Sequence, residues 1–265
     1  MPLHILRSLH PAAVFLLAFS GLMSSAAASG QARSYYALKV YHLDNVSQLE
    51  RVDQYLKNAY VPAAHRAGVS QVGVFRTLET DTSGMRMYVV IPFSSLASLE
   101  KLTRTIERDP AYQSAGSDYI NASYQNVPYA RVETIILEAF PGTAGLRKPR
   151  LTAAAGDRIY ELRSYEGPTE KYHASKLKMF NQGGEIGIFN RIGSNGMFYG
   201  EVLAGSHMPN LMYMTCYNNM ADRTAHWKTF SQDPGWKKLS ATAEYQHNVS
   251  RADIVFLHPT DYSDL

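Results

Sequence analysis

Glu161, Arg163 and Tyr165 recur at every second position, so on an extended chain they project from one face. A guanidinium beside a carboxylate and a phenol can hold an anionic or carbonyl-bearing molecule and steady a developing oxyanion. The same trio can equally form a buried, mutually paired cluster, because a charge removed from water needs a partner. His226, next to Trp227, is a proton-transfer candidate alongside Glu161, or else a helix-surface residue beside a core anchor. Among the eighteen tyrosines, Tyr199, Tyr213 and Tyr217 fall on expected strands. They could line an apolar pocket with polar tips or act as packing residues. The connection from Ala204 to Asn210 carries Ser206, His207 and Met208. A loop at a pocket rim is where selectivity sits, so His207 is a candidate ligand contact. The ligand-binding candidates are therefore Arg163, Tyr165, Tyr199, Tyr213 and His207. The candidates for catalysis are Glu161, Arg163 and His226.

The remaining chemistry is narrower. His173, His207, His226 and His247 show no metal-ligand spacing such as His-Glu-x-x-His, so no metal and no cofactor is expected. The one cysteine, Cys216, lies in an apolar stretch and reads as a buried, inert thiol; a disulfide within one chain is impossible. A formal net charge of +3 without a long basic run argues against a nucleic-acid partner. Arg7, the apolar run Ala12 to Phe19 and the small residues Ser24 to Ala28 follow the order of a secretory signal peptide. Cleavage after Ala28 would export the rest of the chain to the periplasm or beyond, with no stable membrane insertion. The apolar run is too short to cross a bilayer of ~30 Å.

These side chains are positioned by elements that occur twice. Tyr36 to Tyr41 and Tyr160 to Tyr165 alternate bulky and polar residues, as a strand with two different faces does. They stand 124 residues apart, and so do Asp109-Pro110 and Asp233-Pro234. In the first copy a strand at 35–41 precedes a helix from Asn45 to Gly68, with Ser47 and Glu50 as a capping box and Pro62 weakening its last turn. Strands Val72 to Leu78 and Met85 to Phe93 flank a hairpin turn at Thr80 to Gly84. A helix from Ser95, a short helix capped by Asp109, and a strand Arg131 to Leu137 complete a β-α-β-β-α-β unit. The second copy repeats this order, its helical region Thr169 to Ile192 broken at Gly183-Gly184 and its last strand, from Arg251, offset by 120. The expected organisation is a signal peptide at 1–28, a degenerate first ferredoxin-like repeat at 29–138, a linker at 139–156 and a second repeat at 157–265. Each repeat leaves one sheet face without helices, so the α+β fold expected is two repeats packed sheet to sheet as a pseudo-dimeric barrel.

The strand Ile159 to Tyr165 and the run Asp222 to Phe230, closed by Asp233-Pro234-Gly235-Trp236, resemble the NIPSNAP family. The match covers residues 158–258. It is looser in the first copy, where Ala37 and Lys39 replace the family's Glu and Arg and Tyr112 stands for Trp236. The resemblance implies the dimeric α+β barrel superfamily, which holds small monooxygenases, isomerases, haem-degrading enzymes and members without known activity. A fold cannot choose among these. Three functions stay open: a small-molecule binder for an aromatic or carbonyl-bearing compound, a cofactor-free monooxygenase or isomerase, and a structural or interaction module whose barrel is filled. A homo-oligomer is compatible with each. With Ala37 in place of a carboxylate, the first copy is expected to be scaffold.

Overall fold

The computed structural model describes residues 34–143 and 145–265. The signal-peptide reading of 1–28 lies outside the described residues. Each repeat supplies four strands. The first gives β1 (Tyr35–His42), β2 (Gly73–Thr77), β3 (Arg86–Phe93) and β4 (Arg131–Ala139). The second gives β5 (Ile159–Glu166), β6 (Asn195–Ala204), β7 (Asn210–Tyr217) and β8 (Arg251–Pro259). Helices α1 (Val46–Tyr55) and α2 (Val61–Arg66) link β1 to β2, and α3 (Leu96–Glu107), α4 (Pro110–Ala115) and α5 (Ser117–Ile120) link β3 to β4. In the second repeat α6 (Glu170–Asn181) and α7 (Glu185–Arg191) precede β6, while α8 (Met220–Gln232) and α9 (Pro234–Ser240) precede β8.

The strands close one barrel in the order β1-β3-β2-β8-β5-β7-β6-β4. Two ferredoxin-like sheets are thus joined edge to edge, β2 to β8 and β4 to β6. Closure removes the exposed sheet edges that would invite aggregation. Registers repeat faithfully: Tyr36 lies opposite Pro92 and Leu137, and Tyr160 lies opposite Cys216 and Leu257. Every neighbouring pair is antiparallel, so β1 and β5, four strands apart, run the same way. The pseudo-twofold axis therefore follows the barrel axis, and both hairpins, β2–β3 and β6–β7, crown the same end.

Alternation along the strands separates two environments. Tyr36, Leu38 and Val40 face the lumen, as do Tyr160 and Leu162. The opposite faces meet the helices in two outer cores. One holds Tyr41, Val89 and Ile91 against Val52, Leu56 and Leu102. The other holds Tyr199, Leu211 and Tyr213 against Phe180, Phe189 and Phe230. Each such fully buried large side chain stabilises the fold by roughly 1.5–3 kcal/mol.

Far from the hairpins the lumen is plugged. Tyr36 packs on Phe198 at 5.1 Å and Tyr160 on Phe75 at 4.7 Å, each pair uniting the two repeats. The stretch after each last strand crosses to the other repeat. The 139–156 linker is packed rather than loose: Phe140 N–H bonds Tyr199 O, Arg147 N–H bonds Met197 O, and Leu146 enters the lumen cluster. The C-terminal tail, polar in sequence, does the same on the first repeat. Thr260 and Asp264 donate to Val74 and Val72, and Leu265 is buried in that cluster. Gly73 makes this possible, since a Cβ there would sit 2.8 Å from Leu265 Cδ1.

Local signals set the helix limits, with two corrections. The cap of α1 is Asn45, whose Oδ1 accepts from Gln48 N–H at 3.0 Å, rather than a Ser47–Glu50 box. Pro62 does not break its helix. A π turn at Leu56–Tyr60 precedes it and absorbs the missing donor and ring clash. Ser95, Asp109 and Asp233 cap as their sequences predict, and Gly184, at φ 87°, divides α6 from α7.

Candidate functional site

The Glu161–Arg163–Tyr165 face turns away from the lumen and lies under α6 and α8. Glu161, 0% exposed, accepts from Arg163 Nε at 2.7 Å, from Arg223 at 2.8 and 2.9 Å, and from Trp227 Nε1 at 2.8 Å. Arg163 also donates to the Tyr165 hydroxyl at 2.7 Å and stacks on Trp227 at 3.6 Å. Tyr165 and Tyr213 share a hydrogen bond of 2.9 Å. Burial pushes the Glu161 carboxyl up, but the hydrogen bonds and charges of Arg223 and Arg163 outweigh it and hold the group below its ordinary range. Nearly every polar atom of the cluster is engaged within the chain, so the cluster ties β5 to α8. Arg163 and Glu161 therefore lie outside the lumen, against α8. Parity places them outside, because the lumen took the more apolar face of β5.

Tyr199 and Tyr213 are buried on the same outer side, stacked at 5.6 Å. His226 lies on α8, its Nδ1 3.0 Å from Asp222 O, with its ring beside Tyr217. Burial pushes the Cys216 thiol up to about 12, and its Sγ rests on Met197 Sδ. Among the described residues, no group of His, Cys, Asp and Glu is placed to hold a metal ion.

Of the candidates, His207 lines an open cleft. At the hairpin end the lumen widens into a cleft of about 660 Å³. Its floor is apolar: Val40, Tyr88, Ile135, Leu162, Met212 and Val255, all buried. Its rim is polar and comes from strand ends and both hairpins. His42 Nε2 meets Glu133 Oε1 at 2.6 Å, and His207 Nδ1 meets Glu166 Oε1 at 3.1 Å. His207 sits at φ 63°, a left-handed conformation that costs a non-glycine residue about 1 kcal/mol. Arg251 pairs with Asp253 at 3.0 Å. Asp81 fastens the seam where β2 stops short of β8, accepting from Phe256 N–H at 2.9 Å and Ser83 N–H at 2.8 Å. Asn210 is 3% exposed; it donates to Ser164 Oγ at 2.7 Å and leaves Oδ1 without a partner. An orphaned buried acceptor costs about 1–3 kcal/mol, and a ligand donor would relieve it. Burial keeps the Tyr88 phenol above its ordinary value, against the pull of Arg86 beside it.

Sequence reasoning reached the 204–210 loop, which ends at Asn210, and missed His42, Arg86, Glu133 and Ser164. A signal was present. Positions 42 and 166, and 86 and 210, are related by the same 124-residue offset and end the lumen-facing rows of their strands.

An eight-stranded antiparallel barrel with helices outside and a pseudo-twofold axis along its centre is a dimeric α+β barrel made by one chain. A candidate monooxygenase from Fusobacterium nucleatum shares this fold, at TM-score 0.55 and 8% identity, covering 86% of this chain and 93% of that one. A second, from Lactobacillus acidophilus, gives 0.52 and 11%, covering 85% and 93%. An anthrone oxidase-like protein gives 0.54 and 9%, covering 86% and 91%. At such identities the likeness speaks for fold alone. No curated protein matches the chain. The model of the NIPSNAP family matches residues 160–264, within the second repeat.

Proposed function

We propose that this protein binds a small molecule in the mouth of its barrel, apolar body inward and polar end at the rim. The observation that carries this reading is the contrast along the barrel axis. One end is plugged by Tyr36, Phe75, Tyr160, Phe198, Leu146 and Leu265, and the other is an open cleft of about 660 Å³ with an apolar floor. That volume lies in the range of ligand sites, ~300–1,000 Å³. A module filled by side chains would carry plugs at both ends. Native mass spectrometry of the freshly purified protein tests the proposal. A co-purifying adduct is expected in the wild type and should be lost in Ser164→Trp, which fills the cleft. An adduct retained by Ser164→Trp, or no adduct and no stabilisation by any compound in a panel of aromatic acids, amides and quinones, would overturn it.

The two histidine–carboxylate pairs favour a second reading, a cofactor-free oxygenase or isomerase. Imidazole held by carboxylate can take a proton from a bound substrate near neutral pH. The names of the structural neighbours are compatible with this reading. Oxygen uptake with panel compounds separates the two: turnover abolished by His42→Ala or His207→Ala indicates the enzyme, and binding without turnover the binder.

A further inference from the structure

The charges around the cleft are not evenly engaged. Every acid that lines it has a partner: Glu133 has His42, Asp253 has Arg251, and Asp81 has two backbone N–H groups. Of the two arginines that line it, Arg251 is paired with Asp253. Arg86 forms no ion pair among the described residues and lies beside the Tyr88 hydroxyl. It is half-buried, at the lumen-facing start of β3, directly above the apolar floor. A guanidinium in that setting presents a rigid fork of donors to whatever enters. The equivalent position on the opposite wall is Asn210, which is neutral, so the positive end of the cleft belongs to the first repeat.

We infer that the ligand of the mouth is a monoanionic amphiphile, of the class of aryl or alkyl carboxylates, whose anionic group is held by Arg86. This rests on the reading of the mouth as a binding cleft. A single charge is favoured over a phosphate dianion. One guanidinium is available, and the carboxylates of Asp81 and Glu133 line the same cleft, so a second negative charge would meet repulsion without a second cation. Carboxylate geometry also suits two parallel bonds from one arginine. The size fits: the cleft equals the space of roughly 20 waters at ~30 Å³ each, enough for a ligand on the order of 20 non-hydrogen atoms. The hydrocarbon part would lie on Val40, Leu162, Met212 and Val255. The first repeat, without the Glu161–Arg163 face of the second, then supplies the recognition charge.

Two fluorescent probes with one apolar body test this: anilinonaphthalene sulfonate, a monoanion, and uncharged anilinonaphthalene. The wild type should bind the sulfonate more tightly. Arg86→Gln should weaken the sulfonate by roughly tenfold to a hundredfold while changing the uncharged probe less than about twofold. Arg86→Lys should recover part of the loss. Unchanged affinity for the uncharged probe also certifies that Arg86→Gln keeps its cleft. If both probes bind, Ser164→Trp weakens both, and Arg86→Gln leaves their ratio unaltered, the anion assignment is overturned while the cleft stands. If neither probe binds, or Ser164→Trp affects neither, the cleft itself is overturned.

Discussion

Glu161 is the residue on which the second repeat's outer face depends. Two arginines and an indole converge on one carboxylate that water does not reach. Glu161→Gln keeps the shape but leaves the buried Arg163 and the half-buried Arg223 short of a counter-charge, and should cost about 3–5 kcal/mol in urea unfolding. The group also sets an acid limit. Its folded pKa lies below the ordinary 4.5, so the folded chain binds this proton more weakly than the unfolded chain. Its contribution is complete above pH 4.5 and is lost as the pH falls through the folded value. Below pH 4.5 the wild type should therefore lose stability more steeply than Glu161→Gln, measured as urea midpoint against pH. Sequence parity grouped Glu161, Arg163 and Tyr165 on one face but could not say which face was the lumen. Both faces of β5 are bulky, because one meets the lumen and the other meets α6 and α8. The partners that decide the matter, Arg223 and Trp227, are some sixty residues away along the chain.

At the scale of elements, strand order, hairpins and most helix starts were legible. They rest on short-range chemistry: alternation in β1 and β5, the Ser95, Asp109 and Asp233 caps, and the break at Gly184. What escaped was long-range. The stretch 139–156 has the glycine and proline content of a linker, yet its Thr143 and Gly145 carbonyls take the Tyr36 hydroxyl at 3.0 Å. The tail reads as polar because its aliphatic anchor is the last residue, Leu265, while Tyr262 packs against the outer core of the first repeat. That anchor has a measurable weight. Leu265→Ala should destabilise the protein by about 2–4 kcal/mol in chemical denaturation, while Asp261→Ala, a surface change at a 73% exposed side chain, should stay within about 0.5 kcal/mol. Equal effects would contradict a plugging role for the tail.

At the scale of the molecule, the duplication is physical as well as textual. The 124-residue offset read from Tyr36 and Tyr160 reappears as identical strand register, and each repeat sends its last segment across to the other. Two consequences follow. The chain should unfold in one transition, since neither sheet keeps its edges or its plug without the other; two resolved steps in calorimetry would contradict this. The second repeat alone should associate as a dimer in analytical ultracentrifugation, because its β6 and β8 edges are left open. Divergence between the repeats then explains the mouth. Val40, Tyr88 and Arg86 face Ser164, Met212 and Asn210 across a cleft that perfect symmetry would have made uniform. The most direct test uses methionine methyl resonances while anilinonaphthalene sulfonate is added. Met212 lines the cleft, whereas Met179 lies in the outer core with Phe180. A shift at Met212 with Met179 unmoved is the result expected; a shift at Met179 with Met212 unmoved would place the ligand between sheet and helices and contradict the account.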